Sequence, residues 1–389
     1  MGVEWPEGWK SEKLSTVSEM KRGTTITKAS SAEGKIPVVS GGQKPSFYCN
    51  LSNRDKDTIS VAGSGEYAGY IQYWNEPFFA NDCFTVKAKN NLVNKFLYYY
   101  LASLQNEIYK LKKGGGVPHV RIPDLENLSI PLPPLPEQHA IVEVLESFDE
   151  HINNLDALIA KKCGIRSGAL EDLMSGRVRV DGFNGEWETY EFSDFFKLLP
   201  NNTLSRAELC QDGEVGNIHY GDILIKYKDI LTCRDEIPRI KDGIHVSKTN
   251  FLKTNDVVLA DTAEDESVGR VVQLGRLEFP IVGGLHTVVC RPMNDTYTGF
   301  LGYYMNSNCF HDKLLPYITG TKVSAISKSS LQKISLTTPS TIEEQRAIAD
   351  VLTSLDEEIE VLEAERDKWH QVRAGAMGDL LSGKVRLGG

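Results

Sequence analysis

Paired cysteines are missing from this sequence. The chain contains seven cysteines, an odd number, and no two of them are separated by two residues. This pattern argues against a disulfide framework and against a zinc site built on cysteine pairs, and the eight histidines share no ligand spacing. We therefore expect no metal ion, and free thiols in a reducing cytoplasm. The cysteines are Cys49, Cys83, Cys163, Cys210, Cys233, Cys290 and Cys309.

Long apolar runs are missing as well. No stretch of about 18 or more apolar residues occurs, so no membrane-spanning helix is expected. The opening MGVEWPEGWKSEKL has neither an apolar segment nor an arginine-rich amphipathic pattern, so no targeting peptide is predicted. With 389 residues, 41% of them hydrophobic and 25% charged, the composition is typical of a globular protein with two or three domains.

Motifs of common catalytic sites are also absent. Residues 378–384 begin like a phosphate-binding loop, but Val385 stands where serine or threonine is needed. The glycine-rich run 63–69 lacks the spacing of a dinucleotide-binding motif, and the acidic runs 261–266 and 355–360 are expected to face solvent. We predict no catalytic residue, and so a protein that performs no covalent chemistry itself.

What the sequence does contain is a long internal repeat. Residues 137–180 and 344–387 match without a gap, with 22 identities in 44 positions. A shorter match pairs 114–130 with 320–336, and the segments around Trp9 and Trp187 form a further weak correspondence. Because the stretch before each long copy has diverged, the chain reads as variable, conserved, variable, conserved.

The two conserved segments have the pattern of coiled-coil helices. Apolar residues recur with alternating spacings of four and three, bounded by prolines before Glu137 and by Ser-Gly after each copy. The first helix, 137–175, would be ~58 Å long. We predict an intramolecular antiparallel coiled coil, the alternative being that each repeat packs into its own domain core. The predicted seam and partner-docking positions are Ile141, Leu145, Phe148, Ile152, Leu155, Ile348, Leu352, Leu355, Ile359, Leu362 and Trp369.

The variable regions read as mixed α/β. Residues 94–111 and 299–315 have helical spacing, and glycine-rich turns separate short β-branched runs. By region, net charge is +3 for residues 1–130, −4 for 131–185, −4 for 186–339 and −5 for 340–389. A DNA-binding surface is therefore compatible with the overall charge of −10, and it is expected on the first variable region, which is the one with a positive net charge. The predicted strands are 58–63, 82–88, 221–227, 255–260, 269–274 and 286–291.

Together, these features resemble the specificity subunit of a type I restriction–modification system. The resemblance rests on two variable regions alternating with two helical segments, each entered through EQ-x-A-I and closed by SG-[RK]-V-R. It implies a mixed α/β fold with two target-recognition domains separated by two long helices that form an antiparallel coiled coil, related by a pseudo-twofold repeat. The implied divisions are 1–134 and 181–338 for the recognition domains, and 135–180 and 339–389 for the helical repeats.

The same resemblance implies a non-catalytic function. Each variable domain would read one half of a bipartite target in double-stranded DNA, and the coiled coil would set the spacing and dock two methyltransferase subunits. Those subunits would bind S-adenosylmethionine and methylate adenine. A separate restriction subunit would use ATP and Mg²⁺, so this cytoplasmic chain would bind no cofactor itself.

Candidate DNA-contacting residues lie in glycine-rich loops of both variable regions. Glutamine suits adenine, and lysine suits guanine or phosphate. Four alternatives remain open: the specificity component of a type IIB-like system, an orphan duplicate, a coiled-coil scaffold that does not bind DNA, and an enzyme with an unrecognised site in the first variable region. The candidate residues are Ser40, Gly41, Gly42, Gln43, Lys44, Lys112, Lys113, His119, His286, Thr321 and Lys322.

Overall fold

The computed structural model describes residues 5–387 and divides into two compact units. The first unit contains residues 1–157 and 363–389, of which 1–4 and the last two lie outside the described residues. The second unit contains residues 158–362. The chain is mixed α/β, as predicted, and each unit joins one variable region to parts of both long helices.

The first unit is built on a four-stranded sheet of order β2-β8-β5-β6, with all neighbours antiparallel. A smaller sheet, β4-β3-β7, includes the parallel pair β3 and β7, and β1 pairs with β9. The strands are β1 (Lys10–Lys13), β2 (Ser18–Arg22), β3 (Ile36–Val39), β4 (Phe47–Cys49), β5 (Thr58–Ala62), β6 (Ile71–Trp74), β7 (Phe79–Ala80), β8 (Cys83–Ala88) and β9 (Ser129–Leu132). The helices are α1 (Leu14–Val17), α2 (Asn94–Ser103), α3 (Gln105–Lys110), α4 (Ile122–Leu125) and α5 (Leu135–Met174), which continues into the second unit.

The second unit repeats this plan with one more strand in each sheet. Its main sheet has the order β11-β20-β16-β18-β14, its smaller sheet is β12-β15-β13-β19 with β13 and β19 parallel, and β10 pairs with β22. The strands are β10 (Trp187–Glu191), β11 (Phe196–Leu199), β12 (Leu209–Cys210), β13 (Gly216–Ile218), β14 (Ile230–Leu231), β15 (Arg239–Ile240), β16 (Val257–Ala260), β17 (Thr262–Ala263), β18 (Val271–Leu274), β19 (Ile281–Gly283), β20 (Thr287–Pro292), β21 (Ser324–Ala325) and β22 (Ser335–Pro339). The helices are α6 (Phe192–Phe195), α7 (Tyr220–Ile225), α8 (Phe300–Asn306), α9 (Asn308–Leu314), α10 (Lys328–Leu331) and α11 (Ile342–Leu381), which ends in the first unit.

The two long helices begin and end at matching positions of the repeat. Helix α5 starts at Leu135 and α11 at Ile342, each two residues before its Glu-Gln pair. Helix α5 therefore begins two residues before Glu137, the start that the sequence predicted. Pro136 is tolerated there because it occupies the first turn, where a missing N–H costs no hydrogen bond. Each helix stops before a glycine with positive φ, Gly176 at 69° and Gly383 at 72°.

Parts of the long helices contribute to each unit's core. In the first unit, Ile141 and Leu145 of α5 and Leu380 of α11 are buried with strand residues such as Ile59 and Val86. In the second unit, α11 contributes Ile348 and Leu352 and α5 contributes Leu170, Leu173 and Met174. Within each unit the ion pairs between the two helices run in opposite chain directions, so the helical segments are antiparallel.

One of the predicted strands is wrong. Residues 221–227 begin within helix α7, because His219 caps the helix by accepting the N–H of Gly221 at 3.2 Å. Ile223 and Tyr227 are buried and Ile225 is 90% exposed, so the buried positions are four residues apart. A run this short satisfies strand and helix spacing almost equally well.

Candidate nucleic-acid interface

Four segments of the first unit meet at the carboxyl end of β5. We call them the first loop cluster: residues 40–45, 63–69, 81–82 and 112–121. Backbone hydrogen bonds join Val120 N–H to the carbonyl of Gly63 (3.1 Å) and Gly63 N–H to the carbonyl of Asp82 (3.2 Å). At Gly41, a Cβ atom would clash with the carbonyl oxygen of Ser64, so loop 40–45 lies directly against loop 63–69.

The candidate residues of the first variable region all lie in this cluster. Ser40 accepts a hydrogen bond from the side chain of Asn81 at 3.1 Å, and Gln43 and Lys44 are exposed on the same loop. Lys112 donates to the carbonyl of Glu66 at 2.6 Å. His119 is half-buried and pairs through its backbone with Lys113. Gly41 and Gly42, on the same loop as Ser40 and Gln43, are half-buried.

Lys113 is largely exposed, but its ammonium group pairs with the carboxylate of Asp124. Burial raises the pKa of Asp124, but the hydrogen bonds from Lys113 and from the N–H of Arg121 outweigh it and hold that pKa below its usual value. The carboxylate is therefore ionised at neutral pH. An anion that bound Lys113 would therefore also lie close to the negative charge of Asp124.

A cleft of about 610 Å³ opens beside these loops. Arg22, Asn81, His119 and Arg121 line it, and Arg121 and His119 also line a smaller neighbouring cleft of about 360 Å³. Arg22 and Arg121 are not among the residues predicted from the sequence. Arg121 directly follows the glycine-rich segment and could have been found from that position, whereas Arg22 reaches the cleft only through the pairing of β2 with β8.

The second unit has an equivalent group of loops. We call it the second loop cluster: residues 219–221, 261–269, 284–286 and 319–327. Ile326 N–H donates to the carbonyl of Asp261 (2.9 Å), and Asp261 N–H donates to the carbonyl of His286 (3.1 Å), as in the first cluster. Gly284 N–H donates to the carbonyl of Ile218 at 2.8 Å. The equivalent hydrogen bond of the first cluster, from Asn81 N–H to the carbonyl of Val39, has the same length.

The candidates of the second region lie in this cluster. His286 is exposed and has a φ of 55°, and its ring is 5.2 Å from that of Tyr220. Thr321 and Lys322 are exposed in the loop before β21. His219, which the sequence analysis missed, is buried at the place of Ser40. Burial, followed by the charge of Arg206, holds the pKa of His219 below its usual value, so its Nδ1 is free to accept the helix N–H.

The repeat's outermost identities form one ion pair in each unit, with a buried carboxylate and a partly exposed guanidinium. In the first unit Arg386 donates to both carboxylate oxygens of Glu137, at 2.6 and 2.9 Å, and Trp9 Nε1 donates to Oε2 at 2.9 Å. In the second unit Arg179 donates to Glu344 at 2.6 and 2.7 Å, and Trp187 Nε1 donates at 3.3 Å. Each pair therefore takes its carboxylate from one copy of the repeat and its guanidinium from the other. Trp9 and Trp187 occupy equivalent positions.

A second pair of identities, Asp149/Asp356 and Arg166/Arg373, connects each variable region to the helices. In the first unit Tyr99 donates to Asp149 at 2.6 Å, and Arg373 pairs with the same carboxylate. In the second unit Tyr303 donates to Asp356 at 2.8 Å and Arg166 donates to it at 2.9 Å. Burial and the neighbouring carboxylate raise the pKa of both tyrosines far above the usual value, so both hydroxyls stay protonated donors.

The predicted seam positions face the interior of their units to different degrees. Phe148 lies 5.8 Å from Trp369, ring centre to ring centre. Whether any of these residues docks a partner stays a prediction. Buried positions are Ile141, Leu145, Ile152, Leu155, Ile348, Leu352 and Ile359, and half-buried ones are Phe148, Leu355, Leu362 and Trp369.

Residues 5–387 contain neither a candidate metal site nor a candidate membrane span. Three or more histidine, cysteine, aspartate or glutamate side chains nowhere come together there in a group that could hold a metal ion. In the same part of the chain, no helix combines the length and apolar character needed to cross a membrane.

The fold defines a class of protein: two recognition domains of one topology, each joined to both copies of a repeated helix. The model of the type I restriction modification DNA specificity domain matches this chain twice, over residues 6–161 and 184–368. The chain therefore belongs to the family of type I restriction–modification specificity subunits.

Curated relatives and solved structures agree with this assignment. The chain is 24% identical over 416 aligned positions to the MjaVIII specificity subunit of Methanocaldococcus jannaschii, with 99% of this chain and 95% of that protein covered. It is 22% identical over 368 positions to the EcoDI specificity subunit of Escherichia coli, covering 89% and 81%. The crystal structure of an S subunit from M. genitalium has the same fold, with a TM-score of 0.62, 20% identity and 98% of both chains covered.

Proposed function

We propose that each unit of this specificity subunit reads one half of a bipartite DNA target through its loop cluster. The observation that carries the proposal is the recurrence of the same loop framework, with the same backbone hydrogen bonds, in two units whose exposed residues differ. A common framework with different side chains is what two readers of different half-sites require. Eleven candidate residues, from Ser40 to Lys322, lie on these loops.

The two long helices serve the protein partners. The helical regions 131–185 and 340–389 carry net charges of −4 and −5, so DNA phosphates repel them. In this proposal the helices fix the half-site spacing and dock two adenine methyltransferase subunits, through which the restriction subunits join.

The chain contributes recognition and its partners contribute the chemistry. S-adenosylmethionine would be bound by the methyltransferase subunits, and ATP and Mg²⁺ by the restriction subunit. Binding of the second half-site would be intramolecular, which raises affinity without any further contact.

The test is adenine methylation mapped by single-molecule sequencing in the native host, with this gene present and deleted. Loss of one methylated two-part motif with a fixed gap is expected. Affinity of the reconstituted complex for that motif should then fall steeply with salt, because phosphate contacts release counterions. A complex that assembles but has no salt-dependent DNA affinity would identify a scaffold instead.

A further inference from the structure

Each loop cluster contains one short loop that is closed in the same way. Lys113 and His119 exchange backbone hydrogen bonds of 3.0 and 2.8 Å around residues 114–118, and Thr319 and Ala325 exchange bonds of the same two lengths around residues 320–324. We call residues 114–118 and 320–324 the tip loops. The two are identical in length and in closure.

Both tip loops start with a glycine that the backbone requires. Gly114 has a φ of 112° and Gly320 a φ of 113°, a conformation that residues with a Cβ rarely adopt. A Cβ on Gly114 would also lie 2.8 Å from the carbonyl oxygen of Val117, and one on Gly320 would clash with that of Val323. The glycines thus hold the fourth residue of each loop in the same place.

That fourth residue is an exposed valine in both units. Val117 is 56% exposed and Val323 is 49% exposed, although the residues between each glycine and its valine differ completely. The other apolar positions shared by 114–130 and 320–336 are buried or half-buried, for example Leu125 and Leu331, both 0% exposed. Packing in the core explains why those positions are apolar in both units. It does not explain why the exposed position 117 and its equivalent, 323, are both valine.

Cationic side chains flank both valines. Lys112, Lys113 and Arg121 bracket the first tip loop, and Lys322 and Lys328 lie in and beside the second. Gly115 and Gly116 have no other atoms within 4 Å of where a Cβ would stand, so the first loop is slender at its end. A slender loop with an apolar end and a cationic base matches a DNA groove, where phosphates line the rim and thymine methyl groups lie on the floor.

We infer that the two tip loops enter the DNA groove and that Val117 and Val323 make the apolar contact with base edges, one in each half-site. The inference rests on the proposed function and adds the group that each unit uses. The lysines position the loop on the phosphates, and the valine contributes to base discrimination. Equal loop geometry gives both units the same reach into their half-sites.

The test uses the complex reconstituted with its methyltransferase subunits and a duplex containing the methylated motif. Val117→Thr and Val323→Thr keep the β-branched shape but replace a methyl group by a hydroxyl, whereas Val117→Ile and Val323→Ile keep the apolar surface. Val178→Thr is the matched control, because Val178 is 51% exposed and lies outside both loop clusters and both long helices. Melting temperatures should not change, because all three valines are exposed.

Each threonine variant is expected to bind the cognate duplex roughly tenfold more weakly, since a buried methyl contact is replaced by an unpaired hydroxyl. Discrimination should relax only in the half-site read by the altered unit. The isoleucine variants and the Val178 control should bind like the wild type.

Wild-type affinity in both threonine variants would overturn the inference while leaving the proposed function intact. Loss of complex assembly instead of DNA affinity would also overturn it, because the valines would then contact a methyltransferase subunit. Failure of the proposed function would show separately, as a wild-type complex without sequence-specific binding.

Discussion

Replacing Arg166 should destabilise the second unit more than replacing its counterpart Arg373 destabilises the first. Arg166 Nε lies 2.9 Å from the carboxylate of Asp356, and its Nη2 pairs with Asp229. Arg373 pairs with one carboxylate, that of Asp149. The side chain of Arg166 is 18% exposed, and its two carboxylate partners are 21% and 12% exposed. The repeat thus offers a natural comparison between a guanidinium that serves two carboxylates and one that serves a single carboxylate.

The magnitude follows from what remains after substitution. Methionine retains most of the packing of the arginine stem, so Arg166→Met removes mainly the charge. Two largely buried carboxylates would then face each other without a cation. Unpairing a buried ion costs about 3–5 kcal/mol, and partial exposure places this case at roughly 3 kcal/mol. Arg373→Met leaves one carboxylate that is 33% exposed, for which about 1 kcal/mol is expected.

Urea unfolding of the full chain measures the loss, and hydrogen exchange of α8 locates it in the second unit. A loss of 3 kcal/mol corresponds to a decrease in Tm of roughly 6–12 °C for a unit of about 200 residues. The double variant Arg166→Met with Asp229→Asn should recover part of the loss, because one excess charge is removed and the asparagine oxygen can still accept from Asn306. Equal losses for Arg166→Met and Arg373→Met, or no recovery in the double variant, would refute the reasoning.

Three further predictions concern the acid response and the loop clusters. The hydrogen bonds from Arg386 hold the pKa of Glu137 below its usual value of 4.5. The stability that this ion pair contributes is therefore present above pH 4.5 and is lost as pH falls below that value. Glu137→Gln should flatten a plot of Tm against pH in that range. Gly41→Ala should weaken affinity for the cognate duplex by displacing its loop from a backbone carbonyl, whereas Gly42→Ala, with no atom closer than 3.7 Å to the added Cβ, should not; equal affinities would refute the close approach. If Lys44 contacts a phosphate, Lys44→Ala should reduce the slope of log affinity against log salt by about 0.9; an unchanged slope would remove Lys44 from the interface.

Periodic and repeated features could be predicted from the sequence. The heptad spacing and the flanking Pro and Ser-Gly signals placed both long helices to within two residues, and five of the six predicted strands are present. Residues 221–227 failed because Ile223, Ile225 and Tyr227 alternate in the sequence as they would on one face of a strand, whereas in the structure Ile223 is buried and Ile225 is exposed. The capping of α7 by His219 is a tertiary effect that periodicity does not contain.

The loop clusters were harder to derive than the helices. Glycine-rich composition pointed to residues 40–45 and 112–119, but Arg22 joins them only because β2 pairs with β8, a contact between distant parts of the chain. Similarly, the identity of Glu137 with Glu344 marked an important position without naming its partner. The structure supplies that partner, an arginine from the opposite copy of the repeat in each unit.

This exchange of partners accounts for the uneven divergence of the chain. Glu137 needs Arg386, and Glu344 needs Arg179, so a change in either copy must be matched by a change in the other. The exposed loop residues have no such obligation, because the loop framework is held by backbone hydrogen bonds that are independent of side-chain identity. The helical segments therefore keep these paired residues, and 22 of 44 positions in all, while the exposed loop surfaces differ. Under the proposed function a recognition protein benefits from that division, since its loops could acquire a new target sequence without disturbing the helices that the proposal assigns to its partners.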